Sequence, residues 1–283
     1  MISMTVVTGA LEQGLIYALV ALALFLSYRV LNIADMTTDG SFTLGCAVSA
    51  TVALAGHPFL ALPAAMAAGA AAGFITAMLQ TRFRVPSILA GIITNTGLYT
   101  VNLAVMGFSS NVNLLRADTI FTLLGTKLKL IPIVVITLVM GIALVWFLST
   151  RVGLSIRATG DNPDMVRASS INTRFTVTIG LCIANAMTAL SGAVLAQYQK
   201  SADINLGTGM VVIGLASLII GQTLMPKGKL WLMALGALIG SVLYRFIIAL
   251  ALRMDLPSEC LKLISAVIVA IAIALPAMKK KGA

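Results

Sequence analysis

Charge is scarce in this chain of 283 residues. Asp, Glu, Lys and Arg together make up 10%, where a water-soluble domain carries about 25%, so water is not its main solvent. Histidine is almost missing. His57, beside Pro58 in a loop segment, is the single one, and it gives little support to a histidine-ligated metal site or a Ser-His-Asp triad. The three cysteines, Cys46, Cys182 and Cys260, show no CxxC spacing, which suggests neither a zinc site nor a disulfide framework. Cys46 and Cys182 lie in apolar runs and read as small packing residues. No basic stretch precedes the first apolar run in MISMTVVTGALEQG, so it does not look like a cleaved signal peptide and reads as a permanent span. No convincing internal repeat is visible.

What the chain has in quantity is apolar sequence. Hydrophobic residues make up 59%, and a membrane-spanning helix needs about 20 mostly apolar residues. Nine such segments are read, at 6–27, 41–57, 60–80, 87–107, 131–149, 175–196, 208–224, 230–251 and 261–278. The second and seventh are short, and each reads either as a full span or as a broken, partly inserted helix. The expected fold is all-α: one polytopic membrane helix bundle of about 8–9 spans, a single domain over 1–283. Gly69 and Gly73 form a GxxxG, as do Gly236 and Gly240, a spacing that lets helix backbones approach closely. Packing within the chain is the default reading.

The net charge is +10, but Lys and Arg sit in the short breaks between apolar runs. That pattern fits a bilayer and argues against nucleic acid. Alternation places Arg29, Arg82, Arg84, Arg151, Arg157, Arg167, Arg174, Lys227, Lys229 and Lys279–Lys281 on one side. Arg116, Lys127, Lys129, Lys200, Arg253 and Lys262 fall on the other, with Arg245 inside a span. Twelve against six makes the first side cytoplasmic, with the C-terminus inside. The longest breaks are 108–130, outside, and 150–174, inside. The outer one reads as an ordinary loop or as an amphipathic surface for an external partner.

The inner break holds a polar island, GLSIRATGDNPDMVRASSIN, residues 153–172. Asp161 and Asn162 are good helix N-caps, Pro163 suits the first helical position, and Asp164 favours the positive end of the helix dipole. DNPDMVRASS is therefore expected to be a short helix entered by a turn at Gly160. Met165 and Val166 would be its apolar knobs and Arg157 and Arg167 its charges. A polar helix this short needs tertiary contacts or a partner to persist; the competing reading is a solvated loop.

This island resembles the cytoplasmic coupling loop of bacterial ABC-importer permeases, in the group that contains the branched-chain amino acid and ribose permeases. Gly153, Leu154, Arg157, Ala158, Gly160, Asn162, Ala168 and Ile171 fit the pattern. LNIADMTTDGSFTLGCAV (31–48) is similar to the segment after the first span in those permeases, and GLASLIIGQ (214–222) to their Gly-Leu-x-x-Leu-Ile-x-Gly stretch. The 31–48 segment most resembles the tryptophan/tyrosine-type subgroup, many of whose members are unassigned. The resemblance implies a permease subunit of an ATP-driven importer for a small, amino-acid-like solute in the bacterial inner membrane. It also implies an ABC ATPase subunit, an extracytoplasmic solute-binding protein and a second permease copy, the simplest assembly being a homodimer. The coupling contacts would be Arg157, Gly160, Asp161, Asn162, Pro163, Met165, Val166 and Arg167. The chain has no G-x-x-x-x-G-K-[ST] phosphate loop, so no cofactor is expected here, and ATP and Mg would bind the partner ATPase.

Polar groups within spans are expensive and are candidates for the solute pathway. Asp35, Thr38 and Asp39 in NIADMTTDGS, Asn95 in the fourth segment and Asn185 in the sixth are the pathway candidates. Asp35 and Asp39 are four apart and would share a helix face, where like charges repel. Asp39 is placed to cap the second span. NIADMTTDGS reads either as a cytoplasmic turn that caps a helix or as a break at membrane depth lining a cavity. For Arg245, pairing with Glu12 or snorkelling outward ranks first. Two other functional classes compete: a secondary transporter or channel working without an ATPase, and an intramembrane enzyme, for which Asp35/Asp39 is the nearest thing to a catalytic pair.

Overall fold

The computed structural model describes residues 4–125, 129–225, 228–252 and 267. Apart from Val267, the apolar segment 261–278, and with it Lys127, Lys227, Arg253, Cys260, Lys262 and Lys279–Lys281, lies outside the described residues. The described chain is almost entirely helical. In order it forms α1 (Met4–Leu24), a π-helical turn (Phe25–Val30), α2 (Thr38–Leu54), α3 (Ala61–Thr81), α4 (Ser87–Val105), β1 (Asn111–Asn113) and α5 (Ile120–Leu123). Then come α6 (Leu130–Ser149), α7 (Arg151–Asp161), α8 (Pro163–Ala168), α9 (Thr173–Gln199), β2 (Ser201–Asp203), α10 (Met210–Leu224) and α11 (Leu230–Leu252). Among the described residues six helices are long and apolar enough to cross a membrane: α1 with its π-helical turn, α3, α4, α6, α9 and α11. The two short segments, 41–57 and 208–224, become α2 with 17 residues and α10 with 15.

α9 is the axis of the bundle. Its 27 residues span about 40 Å, and α1, α2 and α3 pack along it. α10 and α11 pack on each other and on α1; α4 and α6 lie at the periphery. Small residues make the central contacts close. A Cβ on Gly45 would overlap the Ala189 carbonyl, and one on Gly192 the Phe42 carbonyl. Gly69 and Gly73 meet α9 at Asn185, Ala189 and Leu181, while Gly240 meets Ser217 and Gly221 of α10. Both GxxxG pairs therefore serve packing within the chain. Hydroxyl-to-carbonyl bonds cross the same interfaces, including Ser191 to Ile16 at 2.7 Å, Ser49 to Ala193 at 3.1 Å and Ser241 to Gly14 at 2.7 Å.

The outer break contains structure that apolar periodicity does not reveal. β1 pairs antiparallel with β2, Asn111 opposite Asp203, which ties the segment after α4 to the end of α9. Buried Gln197 donates to Ser49 and Pro58 and accepts from the backbone of Ile120, fixing α5 to the same end. By contrast α6 presents Ile131, Val135, Leu138, Ile142 and Trp146 outward. Their spacing makes one continuous apolar helix face.

A substitution series can test the close packing. Gly45→Val, which forces a side chain into the Ala189 backbone, is expected to cost about 1–3 kcal/mol and to lower the thermal unfolding midpoint in detergent. Gly97→Ala, where a Cβ meets nothing within 4 Å, is expected to leave that midpoint unchanged.

Candidate functional site

The chain between α1 and α2 is a break inside the bundle. Asn32 takes a left-handed conformation at φ 56° and ends the helix in the manner of a C-terminal cap, with Ile33 N–H reaching back to Ser27 O at 2.9 Å. Asp35 then turns the chain upward: its Oδ1 accepts from Thr37 N–H at 2.9 Å and its carbonyl from the Thr38 hydroxyl. Its other oxygen accepts from Asn185 Nδ2 at 2.7 Å. Asn185 lies 12 residues into α9, about 18 Å from that helix's N-terminus. α2 therefore begins inside the bundle, near the middle of α9.

Asp35 is 3% exposed and Asn185 1%, and their polar atoms are shared out. Asn185 Oδ1 accepts from the Ser41 hydroxyl at 2.6 Å while Nδ2 also reaches Leu181 O. Thr37 and Thr76 pair at 2.7 Å, bringing in α3. Buried polar groups left unpaired are costly, and this network satisfies them with partners from α2, α3 and α9. Neither Thr37–Thr76 nor Ser41 was singled out as a site from sequence. Single Thr and Ser residues carry no signal until their partners across the bundle are known.

Asp39 does not cap α2, and it shares no helix face with Asp35, which precedes the helix. It lies in the first turn of α2, and its carboxylate crosses to α10. Oδ2 accepts from Gly209 N–H at 3.0 Å and Oδ1 from Val211 N–H at 2.9 Å. An anion at a helix N-terminus satisfies orphan donors and meets the positive end of the dipole. α10 therefore also starts inside the bundle, after the irregular segment 204–209. Glycine is needed there twice: Gly207 packs against the Asp39 carbonyl, leaving no room for a Cβ, and Gly209 has φ +87°.

The two breaks border a recess of about 320 Å³ lined by Asp39, Asn95, Tyr99, Asn102, Asn205 and Thr208 among others. Asn95, half-buried, lies over the Gly40 backbone. Thr38 is buried beneath the recess, bonded to Asp35. Thr96, Tyr99, Asn205 and Thr208 are exposed beside it. Arg245 neither pairs with Glu12 nor snorkels: its guanidinium lies 4.1 Å over the Tyr17 ring, and Glu12 accepts from the Tyr198 hydroxyl at 2.7 Å.

At the end of the bundle where α1 finishes, the polar island forms two helices. Gly160 is not a turn. It sits within α7, where a Cβ would overlap the Val30 carbonyl. Asp161 closes α7 and is not a cap; the cap of α8 is Asn162, whose Oδ1 accepts from the N–H of Asp164 and Met165 at 3.1 Å each. Pro163 takes the first helical position as expected. Val166 is no exposed knob. At 1% exposure it anchors α8 to the bundle, while Met165 is 58% exposed and Arg157 and Arg167 are exposed too. Arg167 meets Asp164 at 3.5 Å with both side chains solvated, a contact of little weight, and donates to Thr173 Oγ1. A cavity of about 930 Å³ lined by Arg84, Pro163, Arg167 and Arg174 separates α8 from the end of α3. No cluster of three or more His, Cys, Asp or Glu side chains suited to a metal ion occurs among the described residues.

Interrupted helices meeting in the middle of a bundle, with a short capped helix at one end, are the build of a multi-span membrane transport subunit. The chain belongs to the family described as branched-chain amino acid transport system / permease component, whose profile matches residues 6–275. It is thus a permease of the branched-chain/ribose superfamily, the membrane subunit of an ABC transporter rather than a catalytic enzyme. It is 33% identical over 267 residues to the tyrosine transport system permease protein of Clostridioides difficile (strain R20291), covering 94% of this chain and 90% of that one. It is 35% identical over 219 residues to the uncharacterized protein RP368 of Rickettsia prowazekii (strain Madrid E), covering 77% and 78%. With the ribose import permease protein RbsC of Escherichia coli (strain K12) it shares 27% identity over 245 residues, covering 84% and 74%. No solved structure matches.

Removing the Asn185 side chain amide tests the central network. Asn185→Leu takes a donor from Asp35 and an acceptor from Ser41, and is expected to destabilise the protein by about 3 kcal/mol. Equilibrium unfolding in mild detergent reads this directly.

Proposed function

We propose that this chain forms the translocation pathway of an ATP-driven importer for an amino-acid-like solute. ATP and Mg are held by a separate ABC ATPase subunit that docks on α7 and α8. The observation that carries this reading is α8 itself. It is a capped helix pinned from below by Val166 and offering Met165, Arg157 and Arg167 outward. An exposed helix fastened this way suits a contact that must transmit force, because a rigid element moves its neighbours when a partner pulls on it. Gly160 against Val30 and the bond between the Thr159 and Thr176 hydroxyls at 2.9 Å tie α7 to α1 and α9. Movement at α8 would therefore reach both breaks.

The α8 end is the cytoplasmic side, on the weight of Lys and Arg in the breaks it holds, and the C-terminus lies there too. The membrane is the bacterial inner membrane. An external binding protein delivers the solute at the opposite end, near β1, β2 and α5. Asp35, Thr38, Asp39, Asn95 and Asn185 belong to the pathway, Asn95 and Asp39 at its wall and the others as the buried frame that shapes it. A second copy closes the pathway against the polar face of α4 and residues 204–208. What supports this is that polar side chains and irregular backbone at membrane depth do not face lipid. The amino-acid-like solute is supported by the tyrosine transport permease of C. difficile.

Co-purification with the candidate ATPase tests the docking role. The double variant Met165→Asp/Arg167→Glu is expected to keep its thermal stability, since both side chains are exposed, yet to lose the ATPase. An ATPase retained in full by this variant, or absent from the wild type, would return the chain to the class of transporters that work without one.

A further inference from the structure

The recess between α2, α4 and residues 204–208 carries one anionic group, Asp39, and a buried acceptor that no donor meets. Asn102, 1% exposed, lines it. Its Nδ2 donates to Gly40 O at 3.2 Å, which fixes the amide's orientation and makes the remaining atom the carbonyl oxygen. That Oδ1 is buried and has no hydrogen-bond partner. A buried acceptor left unmade costs free energy, and in a native fold it marks a place for a donor. Beside it the Asp39 carboxylate, held by the backbone N–H groups of Gly209 and Val211, adds anionic acceptors. Asn95 contributes a second amide carbonyl close over Gly40, and the Tyr99 ring stands at the wall. No Lys or Arg is among the described residues that line the recess.

We infer that this recess is a subsite for a protonated primary amine, held by Asn102 Oδ1, the Asp39 carboxylate and the face of Tyr99. The chemistry selects that group over the alternatives. An ammonium brings three donors and a positive charge to several acceptors, one of them anionic. An aromatic face adds attraction for a cation. A carboxylate would be repelled by the Asp39 carboxylate, with no cation among the described lining residues to offset it. The volume of about 320 Å³ is at the small end of ligand pockets, enough for the amine-bearing end of a solute whose remainder stays in the pathway. The N–H groups at the start of α10 are already directed at Asp39, so the site holds the amine weakly, as a passage site must. The inference rests on the reading of this face as the pathway.

The full-length permease in nanodiscs, without an ATPase, is probed by saturation-transfer-difference NMR with methylammonium and, separately, acetate. The wild type is expected to give a saturable methylammonium signal and none from acetate. Asn102→Leu is expected to weaken methylammonium binding about tenfold, the worth of one charge-assisted hydrogen bond, whereas Asn102→Asp retains it. Tyr99→Leu, at an exposed position that leaves the fold intact, is expected to weaken it about threefold. Equal signals from acetate, or methylammonium binding that Asn102→Leu and Tyr99→Leu leave unchanged, would overturn the subsite. No signal at all would do the same and leave water as the partner of Asn102. None of these outcomes touches the ATPase co-purification, so the subsite can fail while the importer reading stands.

Discussion

The Asp39 carboxylate on the backbone N–H groups of Gly209 and Val211 is the contact on which the interior arrangement depends. It joins two irregular segments, 31–37 and 204–209, that lie far apart in sequence and would each be expensive alone. Non-helical backbone in a membrane protein must find its hydrogen bonds inside the protein. Here one break supplies the anion and the other supplies the donors. Asp35 does the equivalent for the first segment through Thr37 and Asn185, so each carboxylate is neutralised by dipoles where no cation is at hand.

From this follows the division of the molecule into two faces. α2 and α10 both begin within the bundle, and the space their missing turns would fill is occupied by polar chain and by the recess. On that side Thr96, Tyr99, Asn205 and Thr208 are exposed. On the side of α6 the exposed residues are Leu138, Ile142, Trp146 and their neighbours. A bilayer accepts the second face and not the first. At one end α7 and α8 are joined to the same framework through Val30, Thr159 and Val166, which gives an event at the exposed helix a route to the breaks.

Much of this was legible from the sequence. Long apolar runs carry their own signal, and six of the expected spans are helices of spanning length. The short segments 41–57 and 208–224 are the short helices α2 and α10, of 17 and 15 residues. Asn162 and Pro163 announced α8 through capping chemistry that is wholly local. What failed was whatever depends on a distant partner. Gly160 resembles a turn residue in sequence, but it is glycine because Val30 lies against it. Val166 looked like a surface knob because a one-turn helix has too little periodicity to distinguish its faces. Asp39 reads as a cap for its own helix, whereas its carboxylate accepts from the start of a helix 170 residues later. The β1–β2 pair is three residues a side, too short for any alternation to show.

The central claim is that the face carrying both breaks lines a water-filled route. Single cysteines at Tyr99, Thr208 and Ile142, introduced after replacement of Cys46, Cys182 and Cys260, can be treated with a membrane-impermeant thiol reagent in the assembled transporter. The account predicts that Tyr99→Cys and Thr208→Cys are labelled and that Ile142→Cys is protected. Labelling of Ile142→Cys with protection of the other two would contradict it, because the polar breaks would then be sealed off and the apolar face of α6 open to water.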